Sequence, residues 1–535
     1  MSTERICMLV AMGIYMVIVL VIGIVCARRN KTSDDFYLGG RKLNPLVTAM
    51  SAEASDMSSW LLMGLPGLAL LTGLADAGWT ALGLAVGTYV NWLIVAKRLR
   101  RYTVVANNSI TIPDFFSNRF KDERRILMSV AALVILIFFV PYTASGFAAC
   151  GKLFETLFGM PYIWAMLLGA CVIVAYTAIG GFLAASTTDL VQGLLMSAAL
   201  LFILIFGVVT AGGVGAVMDN AKEIPGYLSM VTTYSVKEGV SAPYGALKIA
   251  SMLAWGLGYF GMPHVLLRFM AIREESQLKR SRRIAIVWVL ISMAAALAIG
   301  VVGASIPGII DRGALIGAGK DAIDAAGAQS EKVFIIMADL MGNSGILPAL
   351  FAGLVLAGIL AATMSTADSQ MLAASSSVAQ NFFKGLIHKK ASNRTVMWVA
   401  RGTIIVIAAI GAVIAINPNS SVFGIVSFAW AGFGAAFGPL MLFSLFWKRT
   451  NIWGALAGML SGGAMVFIWK FLIAPIGGIW GIYELLPAFL VACIAIVSVS
   501  LLTAAPSKEI IAEFELAASK QPLVQEPVAE ASSEE

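Results

Sequence analysis

Hydrophobic runs of about 20 residues recur along almost the whole chain, separated by short polar stretches. A run of that length is sufficient to cross the hydrocarbon core of a bilayer as an α-helix. Thirteen such runs lie near residues 7–26, 46–72, 78–96, 127–149, 161–182, 190–212, 246–266, 284–305, 346–376, 397–416, 423–446, 454–474 and 481–503. The pattern predicts an all-α polytopic membrane protein with about 13 transmembrane helices.

The distribution of charge gives these helices an orientation. Of the 535 residues, 13% are charged, about half the share of a soluble protein. If the N-terminus lies outside and the thirteen runs alternate, the inner segments, with Arg401 at the inner end of its run, carry 28 of the 37 Lys and Arg residues. Such a bias follows the positive-inside rule, so the net charge of +7 reflects topology and not a nucleic-acid partner. We expect the N-terminus outside, the C-terminus inside and a location in a bacterial inner membrane.

The chain divides into two unequal parts. Residues 1–505 form the transmembrane domain, and residues 506–535 form an acidic cytoplasmic tail in which seven Glu oppose Lys508 and Lys520. Composition of this kind predicts a disordered tail with one short helix at 508–519.

Metal and redox chemistry receive no support from the sequence. The five cysteines are scattered and form no C-x-x-C pair, and there are only two histidines, His264 and His388. We therefore expect no transition-metal site, no disulfide framework and no cofactor.

Asp56 is the most informative residue, because it lies inside a hydrophobic run. A carboxylate at such a depth is costly and usually has a function. Its neighbours Ala54, Ser55, Ser58 and Ser59 are small or carry hydroxyls. They allow the helix to loosen and to expose backbone carbonyls. The segment therefore predicts a cation site within the membrane.

A second membrane segment is interrupted in a similar way. Trp255–Pro263 contains three glycines and a proline in nine residues, which weakens a helix. Broken backbone is tolerated in a membrane where it lines a cavity or is buried in protein. The two breaks lie five runs apart, as expected for five-helix units that repeat with inverted topology and place a site at the midplane. A kink that serves only packing remains an alternative.

A third segment, Ala361–Ser369, offers hydroxyls and one carboxylate at close spacing. Single hydroxyls in membrane helices often bond only to their own backbone, but the combination of Ser365, Thr366, Asp368 and Ser369 favours a hydrophilic path. Alkali cations prefer oxygen ligands. The loosened backbone near Ala54 and Met57 offers carbonyls, and Ser365 and Thr366 offer hydroxyls.

These motifs resemble those of the solute:sodium symporter family and, within it, the bacterial proline symporters. The resemblance covers residues 6–505 and depends on stretches in the family's order: Tyr37–Arg41, Ala54–Gly64, Trp255–His264 followed by Arg268–Met270, and Ala361–Thr366. It implies a LeuT-type core of two inverted five-helix repeats with additional helices.

The resemblance also implies site residues. Sodium would be bound by the carbonyls of Ala54, Met57 and Ala362 and the hydroxyls of Ser365 and Thr366, while Asp56 and Ser58 would serve sodium coupling. The proline pocket would comprise Trp60, Tyr142, Trp255, Tyr259 and Pro263. Some family members bind a second cation, at a site matched here by Asp189, Ser365, Asp368 and Ser369. Glu53 and Met262 depart from the relatives' pattern. Glu53 would either face a vestibule and alter cation affinity or simply be hydrated, and Met262 would either shift substrate affinity or have no measurable effect.

The predicted function is sodium-coupled import of L-proline by alternating access, with sodium, proline and the lipid bilayer as partners and no obligate protein partner. Another small amino acid or a carboxylate is the alternative substrate. A passive pore would favour rings of repeated polar residues, which the chain lacks. A membrane enzyme would need an acid–base pair or a metal cluster at a helix end, and no histidine cluster supports one. No phosphate-binding G-x-x-x-x-G-K-[ST] loop is present.

Overall fold

The computed structural model describes residues 2–27, 37–388 and 390–519. The predicted tail from residue 520 onward lies outside the described residues, as do four basic residues that the predicted topology places in inner segments, Arg28, Arg29, Lys31 and Lys389. Within them the chain is helical apart from one antiparallel hairpin, β1 Thr232–Ser235 and β2 Val240–Pro243.

Helices cover the hydrophobic runs, and further short helices lie between the runs and after the last one. In chain order they are α1 Thr3–Ala27, α2 Pro45–Asp56, α3 Leu65–Thr72, α4 Leu74–Val90, α5 Ala96–Val105, α6 Ile112–Arg119, α7 Ile126–Phe158, α8 Tyr162–Thr210, α9 Val214–Glu223, α10 Ala246–Leu253, α11 Pro263–Ala271, α12 Leu278–Gly303, α13 Lys320–Ser330, α14 Val333–Gly342, α15 Ile346–Ser376, α16 Asn393–Ile414, α17 Val422–Phe446, α18 Ile452–Ile468, α19 Leu485–Leu502 and α20 Lys508–Ala518. Large apolar side chains such as Val17, Val209 and Ile494 remain exposed on them, as expected of a lipid-facing surface.

Ten helices of the described residues are long and apolar enough to span a bilayer. The three remaining hydrophobic runs of the sequence correspond to shorter or broken helices. One is Tyr162–Ala178, separated from the span Gly181–Thr210 by a non-helical Gly181 with φ 70°. The other two are the interrupted segments around Asp56 and Trp255. The structure is therefore that of a helical polytopic membrane protein.

The first break has a local cause. Asn44 caps α2 by accepting a hydrogen bond from the Val47 backbone, and Pro45 begins the helix. The helix ends at Asp56, where Met57 leaves helical geometry (ψ 79°). The chain resumes in a π-helical turn, Trp60–Gly64, that leads into α3. The end of α2 therefore exposes carbonyls inside the protein.

The second break is held by close backbone contacts. A 3₁₀ segment, Ala254–Gly261, follows α10, and Pro263 then begins α11. A Cβ added at Gly87 of α4 would lie 2.3 Å from the carbonyl oxygen of Gly256, so these two backbones pack directly on each other. The break is thereby fixed against α4 inside the bundle.

Helix α20 docks on α5 and α6. Its Phe514 is buried and lies 6.2 Å (ring centroids) from Tyr102, and its Glu513 accepts a hydrogen bond from Lys121 at 2.5 Å. This hydrogen bond and the contact with Glu509 raise the pKa of Lys121. The helix predicted at 508–519 is thus present, and it is attached to the membrane domain.

Glu331, which follows α13, anchors that helix to the bundle. Its carboxylate accepts hydrogen bonds from Lys152 Nζ at 2.6 Å and from the backbone N–H groups of Val422 and Phe423 at the start of α17. Both ionic side chains are buried. This joins α7, α13 and α17 beside the aromatic residues described below.

Candidate functional site

Asp56 lies at the end of α2, where three aromatic side chains reach it. Its Oδ2 accepts a hydrogen bond from the hydroxyl of Tyr259 at 2.6 Å, which joins the two interrupted segments. Its backbone carbonyl accepts hydrogen bonds from Trp60 Nε1 at 3.1 Å and from the hydroxyl of Tyr142 at 3.3 Å. Its Oδ1 has no hydrogen-bond partner among the described residues. The carboxylate of Asp56 is thus buried, and the three side chains that donate hydrogen bonds to Asp56 are all neutral.

Helix α15 meets the same break from the other side. Ser365 Oγ lies 2.7 Å from the carbonyl oxygen of Ala54 and 3.2 Å from that of Ala362. Thr366 Oγ1 is buried without a hydrogen-bond partner in the described structure. The structure therefore brings together Ala54, Ala362 and Ser365 of the predicted sodium set, next to Asp56. Met57 and Ser58 are also buried there, on the unwound turn.

The predicted substrate residues form two groups. Trp60, Tyr142 and Tyr259 surround Asp56 through the hydrogen bonds above. Trp255 lies in a separate aromatic layer, stacked on Tyr483 at 4.8 Å between ring centroids. No hydrogen bond or ring contact joins Trp255 to Asp56 in the described structure.

Trp430 connects these two groups. Its ring packs edge-on against Tyr259 at 5.0 Å, and its Nε1 donates a hydrogen bond to the carbonyl of Trp255 at 2.8 Å. Gly258 permits this approach, because a Cβ there would lie 2.0 Å from Trp430 Nε1. Pro263, the remaining predicted residue, is buried at the start of α11.

Glu53 and Met262, the two departures from the family pattern, are both buried. Glu53 Oε1 accepts a hydrogen bond from Trp92 Nε1 at 2.9 Å, and its Oε2 has no partner among described residues. Met262 occupies the N-cap position of α11. Glu53 therefore adds a second buried carboxylate one turn before Asp56.

Three of the four residues of the predicted second cation site converge on a cation of the protein itself, Arg268, while the fourth, Ser365, bonds to Ala54 and Ala362. Arg268 Nη2 lies 3.1 Å from Asp189 Oδ2 and 2.6 Å from Ser369 Oγ. Ser369 Oγ in turn donates a hydrogen bond to Asp368 Oδ1 at 3.1 Å. Ser51 of α2 lies between Arg268 Nε and Asp189 Oδ2, at 3.0 and 2.6 Å. All five side chains are buried.

Sequence reasoning assigned no role to Arg268, Ser51, Trp430 or Tyr483. Arg268 follows the hydrophobic run 246–266, and this position predicts a basic residue of an inner segment that contributes only to topology. A clue was available, because Arg268 belongs to the family-like stretch that contains Tyr259 and Pro263. Trp430 and Tyr483 have no comparable signal, since single aromatics in hydrophobic runs are ordinary core residues.

The chemistry that the site can offer follows from the groups that surround Asp56. Among the described residues, no three His, Cys, Asp or Glu side chains cluster so as to hold a metal ion. The groups gathered around Asp56 are carbonyls, hydroxyls, one carboxylate and aromatic rings. Hard oxygen ligands suit an alkali cation, and aromatic faces suit a small organic cation.

Comparison with known proteins agrees with this chemistry. The model of the sodium:solute symporter family matches residues 36–462. The chain belongs to the sodium:solute symporter family. It is 43% identical to the sodium/proline symporter of Escherichia coli over 94% of both chains. It is 41% identical to the high-affinity proline transporter PutP of Bacillus subtilis, over 92% of this chain and 98% of that one.

A solved structure shows the same fold. A Na⁺-coupled sialic acid symporter, captured in a substrate-bound outward-open state, superposes with a TM-score of 0.73. The match covers 94% of this chain and 99% of that one at 18% sequence identity. The helices of this chain are therefore arranged as in that symporter.

Proposed function

We propose that this family member is a sodium-coupled secondary active transporter, and not an enzyme, that imports L-proline across the bacterial inner membrane. The observation that carries the proposal is the meeting of Ala54, Asp56, Tyr259 and Ser365 at two interrupted helices. Relatives that are 43% and 41% identical over nearly their full length are proline transporters, which supports proline as the substrate. Another small amino acid or a carboxylate is the alternative.

The topology we propose has thirteen crossings, with the N-terminus outside and the C-terminus inside. Ten long apolar helices and the three shorter or broken segments together would make thirteen crossings. Docking of α20 on α5, which carries Lys97, Arg98, Arg100 and Arg101, agrees with a cytoplasmic C-terminus. The two breaks suit a LeuT-type core of inverted five-helix repeats. Residues 1–505 would then be the transport domain and 506–535 its acidic tail.

Sodium would bind between the end of α2 and the middle of α15. The carbonyls of Ala54, Met57 and Ala362 and the hydroxyls of Ser365 and Thr366 are the proposed ligands. Ser365 already touches two of these carbonyls, and Thr366 Oγ1 is a buried oxygen without a partner in the described structure. The C-terminal end of a helix has a negative partial charge that favours a cation, and Asp56 adds a full charge nearby. Ser58 belongs to the same unwound turn.

Proline would bind beside this ion, against Trp60, Tyr142, Tyr259 and the aromatic layer of Trp255, with Pro263 at the start of α11. Its secondary ammonium group suits aromatic faces, at about 0.5–2 kcal/mol per contact. Its carboxylate suits the free N–H groups where the chain resumes after the break. Because Asp56 bonds both Tyr142 and Tyr259, an ion that orders the break also orders this pocket.

The sodium gradient suffices to drive this import. One charge crossing 100 mV supplies about 2.3 kcal/mol. A tenfold sodium gradient adds about 1.4 kcal/mol, so one sodium per proline sustains a proline gradient of about 500-fold. Because binding is linked, sodium and proline should raise each other's affinity by the same factor. Access would alternate by rocking or gating around the fixed site.

Reconstitution tests this function directly. Purified protein in liposomes should accumulate labelled proline when sodium is outside, and should not when choline replaces every sodium ion. Unlabelled proline should compete, and exchange of labelled for unlabelled proline should separate a carrier from a pore. Equal accumulation in choline would refute sodium coupling. If another solute competes and unlabelled proline does not, that solute would replace proline as the proposed substrate.

A further inference from the structure

We propose that the guanidinium of Arg268 is a built-in counter-cation that occupies the position of a second sodium ion and thereby limits transport to one sodium per substrate molecule. This inference deepens the proposed function and rests on it. Of the four residues that resemble a second cation site, Arg268 binds three, Asp189, Asp368 and Ser369, directly or through one hydroxyl. The fourth, Ser365, lies one turn before Ser369 on α15.

The hydrogen bonds around Arg268 are arranged consistently. Two of its nitrogens donate to the hydroxyls of Ser51 and Ser369, and each hydroxyl then donates to a carboxylate, Asp189 or Asp368. Nη2 also pairs with Asp189 directly, and Nη1 donates to the carbonyl of His264 at 2.9 Å. The guanidinium is thus held by two hydroxyls, a carboxylate and a carbonyl, which are the oxygen types that an alkali cation would use.

Burial makes this guanidinium part of the interior. Arg268 is 1% exposed and Asp189 is fully buried. The ring of Phe182 covers the guanidinium at 5.0 Å. A buried carboxylate needs a partner of opposite charge, and the fixed positive charge of Arg268 disfavours a second cation close to Asp189.

The network lies next to the proposed sodium site on two of its helices. Ser51 precedes Ala54 by one turn of α2, and Ser369 follows Ser365 by one turn of α15. Arg268 is on α11, directly after the second break. Its position therefore ties the helices that carry the sodium ligands to the segment that carries Tyr259.

The primary test counts sodium ions in Arg268→Gln. Glutamine removes the charge and keeps polar atoms. Equilibrium binding of ²²Na⁺ to purified protein should give about one ion in the wild type and about two in the variant, because the oxygen atoms that Arg268 held become available. Where the variant transports, the ratio of ²²Na⁺ to proline taken up by proteoliposomes should rise in the same way. Arg268→Lys keeps the charge and should stay at one ion.

Arg119→Gln is the matched control. Arg119 is as buried as Arg268, but it donates to the carbonyl of Ser444 and contacts the rings of Tyr102 and Phe120. Its loss should leave the sodium count at one. A second ion in this control would mean that the effect is not specific to Arg268 and would overturn the inference.

Asp189→Asn, alone and combined with Arg268→Gln, tests the pairing if Arg268→Gln folds poorly. The single variant leaves a buried guanidinium without its carboxylate, so its melting temperature should fall well below that of the double variant. A double variant no more stable than the single one would overturn the pairing.

Failure of the inference can be distinguished from failure of the proposed function. Wild-type protein that takes up proline with sodium but binds two sodium ions, or an Arg268→Gln variant that still binds one, would overturn the inference alone. Wild-type protein without sodium-dependent uptake would overturn the proposed function, while the ²²Na⁺ counts would still decide whether Arg268 excludes a second ion.

Discussion

Asp56 and Asp189 are two buried carboxylates in adjacent parts of the same bundle, and they have opposite environments. Asp189 pairs with the guanidinium of Arg268, whereas Asp56 accepts a hydrogen bond from the neutral hydroxyl of Tyr259. In the described structure no basic side chain forms an ion pair with Asp56. The protein therefore supplies the counter-charge at Asp189 itself, and at Asp56 we propose that the transported sodium ion supplies it.

This difference separates a structural charge from a coupling charge. A fixed ion pair contributes to holding helices together in every step of transport, since both partners belong to the chain. In our proposal the partner of Asp56 is an ion that arrives and departs, so the environment of Asp56 changes during each cycle. Burial of a charge is costly, and a positive partner offsets part of that cost.

Replacing each carboxylate by its amide should give the largest contrast. Asp56→Asn should abolish sodium-dependent uptake and keep the protein folded, because no fixed positive charge is left unpaired. Asp189→Asn should instead destabilise the protein, by about 3–5 kcal/mol for a broken buried pair. Uptake into proteoliposomes and thermal unfolding in detergent measure the two effects.

Glu53→Gln is the control for this pair of variants. Glu53 is a buried carboxylate on the same helix, bonded to Trp92, and we give it no part in sodium binding. Its amide should retain sodium-dependent uptake. Near-normal transport by Asp56→Asn, or loss of coupling in the Glu53 variant alone, would contradict the role we give to Asp56.

The two environments differ in how far the sequence predicts them. Ala54, Asp56 and Ser365 could be predicted as a cation site, since a carboxylate and hydroxyls within hydrophobic runs are unusual and the structure joins them. The two helix breaks were predictable from small residues, glycines and a proline. The resemblance to the family supplied Tyr142, which no local pattern singles out.

Arg268 shows why the second buried site, around Asp189, could not be predicted from the sequence. Along the chain it lies just after a hydrophobic run, as a topology-determining charge does. Its partners Ser51, Asp189 and Ser369 lie 79 or more positions away in the chain, so only the packing of α2, α8, α11 and α15 brings them together. The same holds for Trp430 and Tyr483, whose positions depend on α17 and α19.

Removing only the hydroxyl at Tyr259 sharpens the comparison at Asp56. Tyr259→Phe deletes the 2.6 Å hydrogen bond to Asp56 Oδ2 and keeps the ring against Trp430. A hydrogen bond to a charged group contributes about 1.5–3 kcal/mol, so sodium affinity should change by about 10- to 150-fold. Titration of sodium-dependent uptake measures this change. An unaltered sodium dependence would show that Tyr259 does not hold Asp56 in the working protein.

Trp255 tests the aromatic layer, which contacts neither carboxylate. Trp255→Ala should weaken proline binding more than sodium binding, by about 2- to 30-fold if one cation–π contact is lost. Trp255→Phe keeps an aromatic face against Tyr483 and should lose less. Proline and sodium titrations of the same preparations separate the two affinities. Equal losses of proline and sodium affinity would show that Trp255 supports the folded structure and does not bind proline specifically. An unchanged proline affinity would exclude Trp255 from the proline pocket.

The smallest effect is expected at α20, which is remote from both carboxylates. Truncation after residue 508 removes Phe514 from its contacts with Tyr102 and Arg119, which costs about 1.5–3 kcal/mol for one buried aromatic side chain. The melting temperature should therefore fall slightly, as it should in Phe514→Ala, while the sodium count and proline affinity stay unchanged. The truncated variant should lower stability and leave sodium coupling intact, because it does not alter Asp56 or Arg268. It therefore distinguishes the two kinds of loss. Complete loss of transport in well-folded truncated protein would instead make α20 part of the transport machinery, through its contact with α5 and α6.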